Sequence, residues 1–309
     1  MKALRIEQST PLVTLQDNGR FGVRHLGVTQ GGALDWISLH WANWLLGNPL
    51  AASAVEITLG GFKVEAIANV TLVIGGADLG ATVDGQPQAP WLPFELRRGQ
   101  QLAFTQPRRG ARAYLAAPGG FTANQVMGSV ATVQRESLGG LDGDGEPLKK
   151  GDVLSCLRES ALERRAASDR VPDFSRPATL DLVLGAQIGD FAGESLFDAF
   201  NSQFQLDSRG DRMGIRLLGP ALRCLRTGMV SEGIPLGAVQ VPADGQPIVL
   251  MNDRQTIGGY PRLGALTPAS VARLAQCLPD EYVTLRPIGQ GAAQHAHRQL
   301  LALWDRAAD

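Results

Sequence analysis

The chain has 309 residues, 44% of them hydrophobic and 19% charged, so its length predicts two domains and its composition excludes an intrinsically disordered protein. Its 37 glycines and 18 prolines indicate many turns and favour a β-rich architecture. A formal net charge of −1, without a run of one sign, argues against nucleic-acid binding. Three scattered cysteines without a CxxC pair indicate neither a zinc site nor a disulfide framework. No signal peptide or membrane span is recognisable, so we expect no membrane association and a cytoplasmic location.

Alternating apolar and polar residues predict short strands in the first half of the chain. These strands lie at residues 2–7, 12–15, 54–59, 70–74, 102–104, 113–116 and 153–157. Between them, Asp35 can cap a helix that runs to residue 46, and Asn48-Pro49 stops it. Trp41 and Trp44 lie on one face of this helix, and we expect all three of its tryptophans, Trp36, Trp41 and Trp44, to pack in the core rather than contact a ligand.

The second half is also β-rich and follows a charged, proline-closed stretch at 158–177. It contains a predicted strand at 180–184 and helices at 194–200, 267–277 and 292–306. The motif DGQP at 84–87 recurs at 244–247, and Asp-Gly is typical of a type I′ hairpin turn. The repeat predicts two copies of a related β-fold. We therefore expect an N-terminal domain over residues 1–160, a linker over 161–178 and a C-terminal domain over 179–309.

A glycine-punctuated segment at residues 14–35 is the first candidate site. Gly31 and Gly32 would let backbone amides approach a ligand, while Asp17 and Arg20 would supply a carboxylate and a cation. The alternative is an ordered loop in which Asp17 and Arg20 only fix the loop's own shape. Spacing alone does not decide between the two interpretations.

A second candidate site gathers an acid, amides, a hydroxyl, a phenol and cations over residues 211–261. Such a set suits an amide or urea-like ligand, whose carbonyl needs donors and whose N–H groups need acceptors. Its members are Arg212, Gln240, Asp253, Gln255, Thr256, Gly258, Gly259 and Tyr260. The alternative is turn chemistry, which we prefer for Asp244-Gly245, whereas we favour function for Asp253, Gln255 and Tyr260.

Common reaction motifs are missing from the sequence. It contains no GxxxxGK(S/T), GxGxxG or GxSxG, so it predicts no Walker-type ATP site, dinucleotide fingerprint or nucleophile elbow on this chain. His295 and His297 are two residues apart on a predicted helix, so they point in different directions and make a poor metal pair. We expect no metal site.

Longer motifs, in order over nearly the whole chain, resemble the allophanate hydrolase subunit 2 family, which includes the C component of 5-oxoprolinase. The carboxyltransferase portion of urea carboxylase, which is biotin-dependent, belongs to the same family. The motifs are TLQDNGRFGVRHLGVTQGGALD at 14–35, EITLGG at 56–61, APGGF at 117–121, SEGIPLGAVQVPADGQPIVL at 231–250 and NDRQTIGGYP at 252–261.

The resemblance implies a mainly β fold of two cyclophilin-like β-barrel domains with a few short helices. It implies a hydrolase subunit, active only in a complex, that opens the lactam 5-oxoproline to glutamate. The partner would be a protein like the B component of 5-oxoprolinase (allophanate hydrolase subunit 1), with the A component as a third member. ATP would be shared with, or bound by, a partner protein.

Two alternative functions stay open. One is the carboxyltransferase component of a biotin-dependent urea or amide carboxylase, with biotin carried by another chain because this one has no Met-Lys-Met carrier site. The other is a non-enzymatic regulator that antagonises a kinase-inhibitor partner.

For the lactam reaction we hypothesise an anion clamp made by Arg20 and Arg212, with Asp253 as the general base. The substrate-binding residues would be Asp17, Gly31, Gly32, Gln240, Gln255, Thr256, Gly258, Gly259 and Tyr260. This hypothesis expects Arg20 and Asp253 to reach a common pocket for a small planar amide.

Overall fold

The computed structural model describes residues 1–167, 169–226 and 228–306, and the chain divides into two compact units. The first unit comprises Met1–Phe21 and Gly31–Ser175. The second unit comprises Gly22–Gln30 and the chain from Arg176 onward. A short segment near the amino terminus therefore folds with the second half of the chain. No pattern in the sequence predicts that this segment belongs to the second unit.

The first unit is built from antiparallel strands and one α-helix. Its described strands are β1 (Lys2–Gln8), β2 (Val13–Gln16), β3 (Ala54–Thr58), β4 (Phe62–Ala66), β5 (Val70–Asp78), β6 (Thr82–Val83), β7 (Gln86–Pro87), β8 (Phe94–Leu96), β9 (Gln101–Phe104), β10 (Arg109–Ala116) and β11 (Val153–Ser155). The helix is α1 (Trp36–Leu45). Within the described residues the strands form one sheet in the order β11-β1-β4-β9-β6-β7 and another in the order β2-β3-β10-β5-β8. Alternate apolar side chains of both sheets, among them Leu4, Val64 and Leu115, are fully buried in one core.

Helix α1 forms where the sequence predicts it. The side chain of Asp35 accepts a hydrogen bond from the Ser38 N–H at 3.0 Å, which caps the first turn. Trp41 and Trp44 are 1% and 4% exposed, which confirms that they belong to the core, whereas Trp36 at the start of the helix is only half-buried. The helix packs so closely on β5 that a β-carbon at Gly75 would lie only 2.8 Å from the Ser38 carbonyl oxygen. Glycine at this position of the strand therefore allows the contact.

The start of the predicted linker is fixed to the first unit. The backbone N–H groups of Leu162 and Arg164 donate to the carbonyls of Leu46 and Leu45 at 3.2 and 2.8 Å. The Arg164 guanidinium lies 5.1 Å from the centre of the Trp44 ring, within the range of a cation–π contact. This segment therefore covers the end of α1.

The second unit is a closed barrel with helices around it. Its described strands are β12 (Ala178–Leu184), β13 (Gln203–Leu206), β14 (Gly214–Leu218), β15 (Glu232–Gly233), β16 (Ala238–Gln240), β17 (Ile248–Leu250), β18 (Ile257–Gly258), β19 (Arg262–Leu266) and β20 (Tyr282–Ile288). The helices are α2 (Gly193–Asn201), α3 (Pro268–Ala275) and α4 (Gln290–Arg306). The barrel order is β12-β19-β16-β17-β14-β13-β20, and a parallel pairing of β20 with β12 closes it. The mainly β fold and a barrel are thus confirmed.

A two-stranded ribbon of β15 and β18 lies outside the barrel order, with Glu232 opposite Gly258 and Gly233 opposite Ile257. It brings the segment after β17 next to the segment before β16. None of the helices in the described ranges is both long and apolar enough to cross a membrane.

The two DGQP motifs adopt different turns. Between β6 and β7, Asp84 and Gly85 have φ values of 48° and 83°, which confirms a type I′ turn. Between β16 and β17 the connection is longer, and the Gly245 N–H donates to the Pro242 carbonyl at 3.0 Å. Asp244-Gly245 therefore belongs to a wider turn in the barrel unit.

Candidate functional site

The barrel unit brings together two of the residues predicted to be catalytic. Arg212 precedes β14 and Asp253 follows β17, the strand that pairs with β14. The Arg212 guanidinium donates from Nε to Oδ2 of Asp253 at 2.9 Å and from Nη2 to Oδ1 at 3.0 Å. The two side chains are only 19% and 8% exposed, so water screens this charge pair weakly. In this arrangement each charge neutralises the other.

Backbone hydrogen bonds hold the two loops at this spacing. The Asp253 N–H donates to the Arg212 carbonyl at 2.8 Å, and the Met251 N–H donates to the Met213 carbonyl at 2.9 Å. The Asp211 carboxylate accepts from the Met213 N–H at 2.8 Å, as in an Asx turn. The ion pair therefore lies on a scaffold that depends on neither of its side chains.

Two further arginines, Arg24 and Arg254, meet on one carbonyl of the same unit. Arg24 Nη2 donates to the carbonyls of Ile234 and Thr256 at 2.6 and 3.2 Å. Arg254 Nε donates to the same Ile234 carbonyl at 3.3 Å. Burial, and then the nearby Arg24 charge, lower the pKa of Arg254 to about 9. Burial also lowers the pKa of Arg24.

Two predicted carboxamides converge on Gly258. A β-carbon at Gly258 would lie 3.2 Å from Gln240 Nε2, 3.6 Å from Gln255 Nε2 and 2.6 Å from Ile234 Cδ1. Gln240 is 2% exposed, and its Nε2 is buried with no hydrogen-bond acceptor among the described residues. The close approach of these side chains therefore requires glycine at position 258. The Nε2 group of Gln240 can still donate a hydrogen bond.

A second charged pair flanks this cluster. Arg262 Nη2 donates to Oε1 of Glu232 at 2.6 Å, and Gln187 Nε2 donates to the same oxygen at 2.5 Å. The hydrogen bond from Gln187, assisted by Arg262, lowers the pKa of Glu232. Because Glu232 begins the β15–β18 ribbon, the pair anchors that ribbon to the barrel strand β19.

The remaining predicted residues line two separate cavities of the barrel unit. One cavity, of about 680 Å³, is lined by Thr256 together with Arg24, His25 and the apolar Ile234, Pro235 and Ile257; we call it the arginine cavity. The other, of about 470 Å³, is lined by Gly259 and Tyr260 with Arg223, Cys224 and Arg226. Thr256 and Tyr260 therefore face different openings, although they lie close together in sequence.

In the first unit, Asp17 ties its own loop to the segment at Ser129 and Val130. Its Oδ1 accepts from the Gly19 N–H at 2.8 Å and the Ser129 hydroxyl at 2.6 Å, and its Oδ2 accepts from the Val130 N–H at 2.9 Å. These bonds favour the interpretation that Asp17 fixes the shape of the loop. A role for Asp17 in binding a ligand stays a prediction.

Arg20 is also an internal residue of the first unit. It is 1% exposed, and its Nε donates to the Val126 carbonyl at 3.0 Å. A β-carbon at Gly31 would lie 2.8 Å from Val133 Cγ2 and 3.2 Å from Arg20 Nη1. One at Gly32 would lie 2.8 Å from the backbone of Asn18. Gly31 and Gly32 therefore allow the loop to close around Arg20, and the pocket that we predicted for Arg20 and Asp253 stays a prediction.

Metal-ligating side chains are not clustered in the ranges that the structure describes: no three His, Cys, Asp or Glu residues are placed to share an ion. His295 and His297 lie on α4, where the sequence predicts a helix.

Comparison with known proteins identifies the family. Residues 26–287 match the family model described as "Carboxyltransferase domain, subdomain A and B". The chain is 38% identical over 276 residues to the C component of 5-oxoprolinase from Escherichia coli, covering 88% of this chain and 87% of that protein. It is 33% identical to the C component of 5-oxoprolinase from Haemophilus influenzae, covering 85% and 84% of the two chains. The chain belongs to the carboxyltransferase domain family.

A solved structure shows the same fold in a larger protein. The crystal structure of Kluyveromyces lactis urea carboxylase superposes with a TM-score of 0.92 at 25% identity, over 99% of this carboxyltransferase domain. The match covers 29% of the urea carboxylase chain. The family resemblance predicted from the sequence is thus confirmed.

Sequence reasoning missed the charged residues that surround the predicted ones. Arg24 lies in the first glycine-rich segment, but it folds with the barrel unit, where it contacts Ile234 and Thr256. Arg254 stands inside NDRQTIGGYP and is absent from the predicted set. Its position directly after Asp253, the predicted base, is the sequence feature that could have identified Arg254 as a site residue.

Proposed function

We propose that this chain is part of an ATP-dependent 5-oxoprolinase that opens 5-oxoproline to glutamate together with a partner like the B component of that enzyme. The observation that carries the proposal is the 38% identity to the C component of 5-oxoprolinase, which extends over 88% of the chain. Identity over almost the full length of both chains supports a shared role better than a fold likeness does, since one fold hosts many functions.

The barrel unit supplies groups that suit a lactam. A lactam presents one carbonyl acceptor and one N–H donor in a plane, so it needs donors and acceptors on converging side chains. Gln240 and Gln255 converge at Gly258, and the unused Nε2 of Gln240 is a donor for such a carbonyl. We assign the lactam to this cluster.

Arg212 and Asp253 would act by changing partners. While Arg212 holds both oxygens of Asp253, the carboxylate is a weak base. An anionic oxygen that develops on the activated lactam would compete for Arg212, and the freed Asp253 would accept a proton from the attacking water. The guanidinium would then stabilise the developing charge.

ATP supplies the free energy that opens the stable amide. The chain has no GxxxxGK(S/T) loop, so we assign the nucleotide to a partner protein or to a site shared with it. The proposed partners are a protein like the B component of 5-oxoprolinase (allophanate hydrolase subunit 1) and one like its A component. We expect this chain to be inactive alone.

Reconstitution tests the proposal. The purified chain, mixed with the A-component and B-component proteins of the same organism, should release glutamate from 5-oxoproline only when ATP is present. Leaving out any one protein should abolish the release. ATP-independent release, or none from the complete mixture, would remove the proposal.

The second candidate is the carboxyltransferase component of a biotin-dependent urea or amide carboxylase. The TM-score of 0.92 to urea carboxylase and the family model favour it. In this reaction the same carboxamides would hold urea, and another chain would carry biotin. Transfer of labelled carboxylate from a carboxybiotin carrier to urea, with no glutamate from 5-oxoproline, would favour this candidate over the first.

A further inference from the structure

The arginine cavity carries more positive charge than its neighbourhood compensates. Arg24 lines the cavity, and Arg254 donates to the same Ile234 carbonyl as Arg24, whereas the Asp253 carboxylate is paired with Arg212. In the part of the chain that the structure describes, no acidic side chain forms an ion pair with Arg24 or Arg254. The Asp253 carboxylate that acts on Arg254 is held by Arg212, so the positive charge of Arg24 would attract an anion into the cavity.

A donor of Arg24 is left unused beside this cavity. Arg24 Nη2 is occupied by the carbonyls of Ile234 and Thr256, whereas Nη1 is buried and has no acceptor among the described residues. A buried guanidinium N–H without a protein acceptor is costly, so an acceptor supplied by a ligand would stabilise it. Carboxylates match a guanidinium because both groups are planar and can share two hydrogen bonds.

The rest of the cavity suits a small ring with one charged group. Ile234, Pro235 and Ile257 provide an apolar wall, and the Thr256 side chain offers a hydroxyl. A volume of about 680 Å³ is ample for a five-membered ring and leaves space above it. The cavity is thus basic on one side and apolar on the other.

We propose that the arginine cavity binds the carboxylate of the substrate through Arg24, with Arg254 as a second, buried charge behind it. This inference rests on the proposed function, in which the substrate is a lactam that carries a carboxylate. It makes Arg24 a specificity-determining residue, because it selects the acid over lactams that lack the charged group. The reacting amide then lies towards Gln240 and Gln255.

Calorimetric titration of the full chain with matched ligands tests the inference. The probes are 5-oxoproline, 2-pyrrolidone, which keeps the lactam and lacks the carboxylate, and cyclopentanecarboxylate, which keeps the carboxylate and lacks the lactam. Arg24→Gln should weaken binding of both carboxylates at least about tenfold, the scale of a lost charge-assisted hydrogen bond, and leave 2-pyrrolidone within about twofold. Arg24→Lys should give an intermediate loss.

Arg286→Gln is the matched control, since Arg286 is a barrel arginine with a 63% exposed side chain that pairs with Asp181. It should bind all three probes like the wild type, and unfolding midpoints should show that each variant is folded. Equal affinity of wild type and Arg24→Gln for cyclopentanecarboxylate, or no binding of it by the wild type at millimolar concentration, would overturn the inference. If carboxylate binding depends on Arg24 but the assembled complex forms no glutamate, the cavity assignment stands and the proposed reaction fails.

Discussion

Arg212 grips both carboxylate oxygens of Asp253, at 2.9 and 3.0 Å, across the paired strands β14 and β17. Two residues 41 positions apart in sequence therefore form one ion pair with two hydrogen bonds. This relationship leads to the first two predictions.

The first prediction concerns stability. Asp253→Ala and Arg212→Ala should each destabilise the chain, because each leaves one weakly screened charge without its partner. The double variant should be less destabilised than the sum of the two, by a coupling energy of about 1–3 kcal/mol. Urea denaturation of the four proteins measures this energy. Strict additivity would show that the pair contributes nothing to folding.

The second prediction concerns turnover of the assembled complex. Asp253→Asn keeps the size of the side chain and removes the base, so glutamate release should fall at least about a hundredfold, the usual scale for loss of a general base. Arg212→Lys should also lower the rate, because an ammonium group cannot hold both oxygens at once. Wild-type turnover by Asp253→Asn would remove Asp253 from the mechanism.

The third prediction concerns Gly258. Alanine there would place its β-carbon 2.6 Å from Ile234 Cδ1 and 3.2 Å from Gln240 Nε2, so the carboxamide cluster must shift. Gly258→Ala should lower turnover of the complex at least about tenfold with an unfolding cost of about 1–2 kcal/mol. Ile234→Val removes the atom of closest approach and should restore part of the activity in the double variant.

The control for this series is Gly289→Ala, since a β-carbon at Gly289 meets no heavy atom within 4 Å. It should leave turnover unchanged. An equal loss in both alanine variants would mean that the effect is not one of packing at the carboxamide cluster.

The fourth prediction concerns acid stability. His40 is 7% exposed, its Nε2 lies 2.9 Å from Asn18 Oδ1, and burial lowers its pKa to about 4. Between pH 6.5 and about 4, His40 is protonated in the unfolded chain and neutral in the folded chain. The stability of the folded chain therefore falls as the pH falls through this range. The loss should reach about 3 kcal/mol once the pH is below the folded pKa.

Urea denaturation followed by tryptophan fluorescence, to which Trp36, Trp41 and Trp44 contribute, measures this loss between about pH 7.5 and about pH 4.5, the two sides of the unfolded pKa. His40→Gln should remove most of the pH-dependent part, whereas His295→Gln, on α4, should not. The same pH dependence in wild type and His40→Gln would exclude His40 as its source.

The fifth prediction concerns a buried network of the first unit. The Tyr114 hydroxyl donates to Glu56 Oε2 at 2.7 Å and accepts from the Asp35 N–H at 2.8 Å. Tyr114→Phe removes both hydrogen bonds and should cost about 1–3 kcal/mol. Tyr282→Phe, at a residue that is 54% exposed, should cost less than about 0.5 kcal/mol in the same denaturation experiment. A cost for Tyr114→Phe as small as that of Tyr282→Phe would show that the two hydrogen bonds of Tyr114 add no stability.

The sequence predicts well what depends on neighbours along the chain. Asp35 caps α1, Thr267 and Pro268 begin α3, and Asp84-Gly85 makes the expected turn, because each depends on a few adjacent residues. The family motifs, which extend over most of the chain, also predict a mainly β fold with a barrel.

The candidate site was only partly predictable, because contacts distant in sequence decide it. Arg212 and Asp253 could be chosen as chemistry-bearing residues, but their mutual pairing depends on the register of β14 and β17. Arg24 could not be assigned to the site from the sequence, because its segment folds with the barrel unit. The glycine-rich loop suggested that Arg20 faces a ligand, yet its side chain is 1% exposed. Periodicity carries no information about such placements.

The most direct test of the proposed function is ATP-dependent glutamate release from 5-oxoproline by the three assembled proteins, with this chain present, absent or carrying Asp253→Asn. We predict release with the wild-type chain, none without it, and a rate at least about a hundredfold lower with the variant. Release at the wild-type rate in the absence of this chain would contradict the proposed function.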